Sequence, residues 1–208
     1  MASITAYINS GSVFASNTNK IYLSSDGTLN TTISDITTSI NSIEKHPSNG
    51  FNYLGVTDDG IYRHDQSSAS AQRASHWIIN VPTSASITSY IGAQGFTNSN
   101  IWYGYHNLSG YVFRSLDFGK TFNIVNTGLP QNLTGSSSAT SFAFTQNYVF
   151  MGLANNGGCY RLDLSTDVWS SLSDLTGLTI NEISVNPNTD TIFFMTNTAL
   201  YRSTNYGS

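Results

Sequence analysis

Short runs of alternating apolar and polar residues follow one another along the chain, and clusters of Asn, Pro, Gly and Asp separate them. The last part shows the pattern well, with an alternating run at 180–187, an Asn-Pro-Asn-Thr-Asp turn at 186–190, and apolar runs at 191–196 and 199–203. Alternation with a period of two between turn-forming residues is typical of antiparallel strands joined by hairpins. The pattern therefore predicts an all-β chain.

This strand pattern recurs along the sequence. In each unit one apolar run ends in an aromatic residue, and in all but the first unit an arginine follows it. These pairs are Ile21-Tyr22 without arginine, then Tyr62-Arg63, Phe113-Arg114, Tyr160-Arg161 and Tyr201-Arg202. A period of roughly 40–50 residues built from short strands is typical of β-propeller blades.

The repeat predicts a single β-propeller domain of about five blades, of which the last is incomplete. We expect the first strand of each blade to be innermost, because that is the usual order in a propeller. The blades are expected at roughly 1–36, 37–84, 85–135, 136–177 and 178–208. The side chains expected to point into cores between blades are Ile40, Ile43, Phe142, Phe144, Ile180 and Ile183.

The fifth unit has three predicted strands before Ser208, whereas the others have a candidate fourth strand. An open sheet edge exposes unpaired N–H and C=O groups. We therefore expect a fragment of a larger propeller or a ring completed by another chain, with self-association or pairing through residues 200–208. A ring that closes with one three-stranded blade is the alternative.

Composition narrows the possible partners. Charged residues make up 10% of the chain and the net charge is −4, without a basic stripe, so we expect no nucleic-acid binding. No apolar run approaches ~20 residues, so we expect no membrane span. No charged and apolar leader follows Met1, so we expect no signal peptide. Cys159 is expected to be a small buried side chain.

One turn sequence carries a family resemblance. The run from Ser115 to Phe122 resembles the Asp-box, or BNR repeat, of sialidases, Vps10/sortilin domains and xyloglucanase-type propellers, with Phe122 where those families have Trp. The matching residues are Ser115, Asp117, Gly119, Thr121 and Phe122. A second, partial copy consists of Ser203, Asn205 and Gly207, with Asn for Asp.

The resemblance implies a structural role for these residues at the blade periphery. Asp117 is expected to accept hydrogen bonds from its own turn, and Gly119 is expected to adopt a positive φ. The ring of Phe122 is expected to pack under the hairpin.

The sequence offers no convincing catalytic group. The arginines of the repeat occupy equivalent positions in successive blades, so they do not converge as a sialidase triad would. A glycosidase needs two carboxylates about 5–10 Å apart. The candidates for such a pair are Glu44 and Glu182, which are the acids in predicted first strands. The histidines show no metal-ligand spacing. We therefore predict no catalytic residue, no metal and no cofactor, and favour a protein that is not an enzyme.

Aromatic and neutral polar residues suggest binding instead. Trp77, Trp102, Tyr105 and Trp169 lie near predicted blade edges, and aromatic faces stack on sugars while hydroxyls and amides meet sugar hydroxyl groups. For any single tryptophan, however, a place in the core between blades is the favoured interpretation over ligand binding. The favoured hypothesis is a lectin-like module that binds glycans or another surface ligand, extracellular or on a virion. The alternatives are a structural module of a phage or virus particle and a fragment of an Asp-box glycoside hydrolase.

Overall fold

The computed structural model describes two parts of the chain at different detail. For residues 3–92 it describes the placement of nine strands. Side chains are described for residues 100–207, except 106–109, 118, 120, 131–132 and 134–137. Of the expected core residues, Ile40 and Ile43 lie outside the described side chains.

The strands form five antiparallel sheets, which we call blades 1 to 5, and within each sheet the strands pair in chain order. Blade 1 contains β1 (Ser3–Tyr7), β2 (Ser12–Asn17), β3 (Lys20–Ser24) and β4 (Thr31–Thr32), and blade 2 contains β5 (Ile40–Lys45), β6 (Tyr53–Thr57), β7 (Gly60–His64) and β8 (Ser75–Trp77). Blade 3 contains β9 (Ile91–Gly92), β10 (Trp102–His106), β11 (Tyr111–Ser115) and β12 (Asn123–Ile124), and blade 4 contains β13 (Ala139–Phe144), β14 (Tyr148–Leu153), β15 (Cys159–Asp163) and β16 (Val168–Ser171). Blade 5 has three strands, β17 (Ile180–Asn186), β18 (Thr191–Thr196) and β19 (Leu200–Ser203).

The first strands of consecutive blades contact one another, β1 with β5, β5 with β9, β9 with β13, and β13 with β17. This is the arrangement expected when the first strand of each blade is innermost. The prediction of an all-β fold with about five blades, the last incomplete, is therefore confirmed. The blade boundaries and the assignment to a single domain stay predictions.

Alternation along the strands builds a separate core on each face of blade 4. In β14, Val149 and Met151 pack toward blade 3, whereas Phe150 packs toward blade 5. The core between blades 3 and 4 also holds Tyr103, Tyr105, Val112, Phe142, Phe144, Leu162 and Trp169. The core between blades 4 and 5 also holds Ala143, Cys159, Leu172, Leu175, Ile180, Ile183, Ile192 and Phe194. The core positions predicted at Phe142, Phe144, Ile180 and Ile183 are confirmed.

Polar contacts fix how blades 4 and 5 meet near their first strands. The Thr140 hydroxyl donates to the Ile180 carbonyl (2.5 Å), and the Ile183 N–H donates to Ser141 Oγ (3.0 Å). Gly152 lies under Ile180 so closely that a Cβ atom there would approach Ile180 Cγ2 to 2.6 Å. The two blades are thus in direct contact, which positions the exposed side of blade 5 described below.

Candidate binding surface on blade 5

The turn after β11 is held by the side chains that the sequence singles out. Ser115 Oγ donates to Asp117 Oδ1 (2.8 Å) and accepts the Gly119 N–H (2.7 Å). Asp117 also accepts the backbone N–H and the hydroxyl of Thr121, both at 2.8 Å. Gly119 has φ = 77°, in the left-handed region. These contacts are internal to the turn, so the arrangement is a structural one.

The aromatic residue at the end of this turn packs into the blade. The rings of Phe122 and Trp102 meet edge to face, with centroids 5.3 Å apart and planes at 80°. Trp102 itself is buried. Phe122 is half-buried against this ring, and its role in an Asp-box hairpin stays a prediction.

The turn after β19 repeats the Ser115 geometry. Ser203 Oγ donates to Asn205 Oδ1 (2.8 Å) and accepts the N–H groups of Asn205 (3.3 Å) and Gly207 (2.7 Å). The corresponding distances at Ser115 are 2.8, 3.3 and 2.7 Å. Gly207 has φ = 81°. The asparagine thus replaces the aspartate without changing the turn.

Two arginines of the repeat, Arg114 and Arg161, each contact the following blade. Arg114 of blade 3 forms a bidentate ion pair with Asp167, in the last turn of blade 4, with Nη2 and Oδ2 3.0 Å apart. The hydrogen bond to Asp167 raises the pKa of Arg114. Arg161 of blade 4 donates to the Tyr206 carbonyl in the last turn of blade 5 (2.7 Å) and lies over the Tyr148 ring. The sequence places these charged groups at turns but does not reveal that the turn belongs to the following blade.

Three of the four aromatic residues expected to bind a ligand belong to the core. Trp102, Tyr105 and Trp169 are 1%, 0% and 2% exposed. The Trp169 Nε1–H donates to the Val125 carbonyl (2.8 Å). A ring enclosed by protein has no free face for a sugar, so the prediction is corrected for these three residues. The side chain of Trp77 lies outside the described residues.

The described residues offer little chemistry for catalysis. Between residues 100 and 207, where side chains are described, no three His, Cys, Asp or Glu side chains cluster as metal ligands would. Glu182 is exposed, and the side chain of Glu44 lies outside the described residues. Burial raises the pKa of the Cys159 thiol, which keeps it protonated.

Blade 5 presents apolar side chains to solvent on the face away from blade 4. Leu200 and Met195 form a cross-strand pair and are 68% and 43% exposed. Glu182 on β17 pairs with Met195. Arg202 lies two residues after Leu200, on the same face of β19. By strand register, the residue of blade 4 that corresponds to Leu200 is Cys159. Cys159 is only 1% exposed, because it packs in the core between blades 4 and 5. The open face of blade 5 therefore corresponds to a buried face in the preceding blade.

A cavity of about 280 Å³ lies on the other side of β19, between blades 4 and 5. Its apolar lining residues are Leu172 and Leu175, which follow the last strand of blade 4, and Phe194 and Tyr201 of blade 5, and the rest of the lining comes from Ser203, Thr204, Asn205, Gly207 and two charged residues. Asp174 and Arg202 also line it and are exposed to solvent. Its lining comes from two blades, so no local sequence pattern predicts this cavity.

Solved structures similar to the chain are β-propellers. The β-propeller domain of Cps50 (Swd1) from Myceliophteria thermophila matches with a TM-score of 0.62 at 9% identity, over 95% of this chain and 65% of that one. YCF48 bound to D1 peptide matches with a TM-score of 0.64 at 13% identity, over 97% and 63%. The extracellular domain of BT4673 from B. thetaiotaomicron matches with a TM-score of 0.67 at 15% identity, over 94% and 26%.

These comparisons show the fold. The chain spans less than two thirds of the length of each of the three structures. No protein-family model matches the chain, and no curated protein matches it with significance. Within the described residues, no helix has the length and apolar character needed to cross a membrane. The chain therefore has a β-propeller fold. The similarity does not extend to the Asp-box families specifically.

Proposed function

We propose that the chain is a protein-binding module that recruits an extended segment of a partner at the outer edge of β19. The observation that carries this proposal is the strand order of blade 5. Among the strands that the structure describes, β19 pairs with β18 alone, whereas each of the other four blades has a fourth strand. An open edge of this kind binds a further strand through main-chain hydrogen bonds.

The backbone of β19 supplies the groups that such binding needs. The Thr196 N–H donates to the Ala199 carbonyl (2.9 Å). Successive residues of an antiparallel strand direct their backbone groups to opposite sides. The backbone N–H and C=O groups of Tyr201 and Ser203 therefore point toward β18. The same groups of Leu200 and Arg202 point to the outer edge. In blade 4, the Cys159 carbonyl at the position of Leu200 accepts the Leu172 N–H (2.9 Å), beside the fourth strand.

Three further observations favour a protein partner over a glycan. Leu200 on the edge strand β19 and its cross-strand partner Met195 on β18 are both exposed and offer apolar contact. One structurally similar protein, YCF48, is bound to a peptide. The aromatic residues that suggest glycan binding in the sequence include Trp102, Tyr105 and Trp169, and these three are buried. We also assign the turns at 115–122 and 203–207 to the Asp-box type, as structural elements of a non-enzymatic propeller.

The test compares peptide and glycan binding directly. A displayed library of random peptides is selected on the whole chain, on Arg202→Pro and on Arg202→Ala, and the same three proteins are applied to a glycan array. Proline removes the outward N–H at position 202 and is tolerated on an edge strand. Alanine removes the same charge and keeps the N–H.

We expect peptides that bind the whole chain and the alanine variant but lose about tenfold or more in affinity on the proline variant. Thermal unfolding confirms that both variants are folded. Selected peptides that are indifferent to proline at position 202, or a glycan that binds while no peptide does, would overturn the proposal. A particle protein that assembles through β19, the structural alternative, would instead lose assembly in the proline variant.

A further inference from the structure

We propose that Asn156 is a site of spontaneous deamidation, and that the hydroxyl group of Thr179 promotes the reaction there. The inference concerns a modification of the chain itself, so it is independent of the partner proposed above. It is carried by three features that meet at one place. These are an exposed asparagine followed by a glycine, a tight turn of the main chain, and a hydroxyl group hydrogen-bonded to the side-chain amide.

The Asn-Gly pair lies at the tip of the hairpin that joins β14 to β15. The Gly157 N–H donates to the Ala154 carbonyl (2.9 Å), and the two asparagines between them, Asn155 and Asn156, have φ of 50° and 61°. Positive φ at both central residues is typical of a type I′ turn, in which asparagine is favoured. Both asparagines are exposed, so water and hydroxide ion reach the tip of the hairpin.

Thr179 lies in the segment that leads from blade 4 into β17, and it holds Asn156 at two points. Its Oγ1 accepts the Asn156 N–H (2.9 Å) and donates to Asn156 Oδ1 (3.3 Å). A hydroxyl group has one proton to donate and two lone pairs to accept, so both contacts form at once. The side-chain carbonyl of Asn156 is therefore polarised by a hydrogen-bond donor in the folded chain.

Deamidation at such a pair passes through a succinimide ring. The main-chain nitrogen of Gly157 loses its proton and attacks Cγ of Asn156, which forms a new N–C bond and closes the ring. The bond from Cγ to the amide nitrogen breaks, and that nitrogen takes up a proton and leaves as ammonia. Water then opens the ring at either carbonyl carbon and leaves aspartate or isoaspartate. The net reaction consumes one water molecule and releases one ammonia molecule.

Two groups lower the barrier to ring closure. Glycine has no Cβ, so no side chain crowds the attacking nitrogen. Negative charge develops on Asn156 Oδ1 during the attack, and the Thr179 hydroxyl already donates to that oxygen. The hydrogen bond from the Gly157 N–H to the Ala154 carbonyl must open first, and the exposed tip of a hairpin is where local opening costs least free energy.

Other exposed asparagines of the described part lack this combination. Asn155, Asn181 and Asn197 are exposed too, but a residue with a side chain follows each of them. Among the asparagines with a described position, only Asn156 precedes a glycine. The sequence holds a second Asn-Gly pair at Asn49, which lies outside the described residues. A measurement that locates each modified asparagine therefore distinguishes the two pairs.

The two products act differently on the contact between blade 4 and the start of blade 5. Aspartate keeps the turn, because a carboxylate oxygen accepts the Thr179 hydroxyl as an amide oxygen does. Isoaspartate lengthens the main chain by one methylene group just before Gly157. The next residue, Gly158, donates its N–H to the Leu178 carbonyl (2.9 Å), so the longer chain displaces this hydrogen bond. We therefore expect only the isoaspartate form to be less stable than the parent.

The experiment follows the folded whole chain at pH 8 by peptide mapping, in which fragment mass spectra locate each modified asparagine. The variants are Gly157→Ala, Thr179→Val and Thr179→Ser, and thermal unfolding confirms that each is folded. Gly157 does not have a positive φ, so alanine is compatible with its backbone. We expect Asn156 to react faster than every other asparagine with a described position, and several-fold more slowly in Gly157→Ala.

Thr179→Val should slow the reaction about threefold, as the loss of one hydrogen bond implies, whereas Thr179→Ser should keep the parent rate. A purely structural role of Thr179 predicts the opposite sign, because loss of its contact with the Asn156 N–H would loosen the turn. Aged samples enriched in isoaspartate at position 156 should unfold at a lower temperature than the parent, and Asn156→Asp should unfold at the parent temperature.

Three results would overturn the proposal in whole or in part. If Asn156 stays unmodified in the folded chain while a synthetic peptide of residues 150–162 reacts fully, the folded turn is not a deamidation site. A rate in Thr179→Val equal to or above that of the parent would refute the role of the hydroxyl group. Accumulation of isoaspartate without a fall in the unfolding temperature would refute its effect on the contact between the blades.

Discussion

At the residue scale, Ser115 and Ser203 show how one hydroxyl fixes a tight turn. Each donates to the side chain two residues later and accepts the N–H of a glycine four residues later. Asn205 replaces Asp117 because an amide oxygen accepts the serine hydroxyl as a carboxylate oxygen does. The turn therefore depends on the serine and on the positive φ of the glycine more than on a charge.

Gly119 provides the first prediction. At φ = 77°, a β-branched side chain is strained, so Gly119→Val should lower the free energy of unfolding by about 1 kcal/mol or more. Gly119→Asn should cost less, because Asn155 and Asn156 adopt the same region in this chain. Urea denaturation of the three proteins measures the difference. Equal stability of the valine variant and the parent would contradict the assigned turn.

Tyr105 provides the second prediction, which concerns alkaline pH. Burial raises its pKa from 10.0 to about 12, and its hydroxyl donates to the Leu133 carbonyl (2.8 Å). The raised pKa means that its contribution to stability is complete below pH 10 and is lost as the pH rises toward 12. Tyr105→Phe should cost about 1 kcal/mol at pH 8 and should make the loss of stability above pH 10 smaller. Unfolding curves at pH 8, 10 and 11 test this, and an unchanged slope would argue against it.

At the element scale, Arg114 and Arg161 link the third strand of one blade to the last turn of the next. The Arg114 side chain is 18% exposed and that of Asp167 is 46% exposed, so solvent screens part of the attraction. A double-mutant cycle with Arg114→Met and Asp167→Asn should therefore give a coupling energy of about 0.5–1 kcal/mol, reduced by added salt. The control is Arg202→Met, which removes the exposed arginine at the equivalent position of blade 5. A coupling of zero would leave the ion pair without a role in joining the blades.

Sequence alone could predict the elements but only part of the candidate site. The spacing of Ser115, Asp117 and Gly119 encodes a local turn, because every partner lies within a few residues. The partner of Arg114 lies on the following blade, and the cavity is lined by residues of two blades. No local sequence pattern predicts contacts of this kind. Trp169 shows a second limit, since an aromatic residue near a blade edge suits a ligand surface and a core equally well.

At the scale of the whole molecule, blade 5 exposes a face that the repeat buries elsewhere. Leu200 and Met195 lie on the side away from blade 4, whereas the cavity lies on the side toward it. The counterpart of Leu200 in blade 4 is fully covered by the next blade. An exposed apolar face whose counterpart in blade 4 is buried between blades favours contact with a similar surface of another molecule.

The last prediction is that the purified chain self-associates through this face. Light scattering from micromolar to millimolar concentration should show a rising average mass, and Leu200→Lys should reduce it because a charge replaces the most exposed apolar side chain there. Leu116→Lys is the matched control, since Leu116 is 54% exposed but lies in the Ser115 turn of blade 3. Thr204→Trp should have no effect, because it acts on the cavity side of β19. A constant monomer mass over the whole range, or equal effects of the two lysine variants, would show that the open face of blade 5 does not drive association.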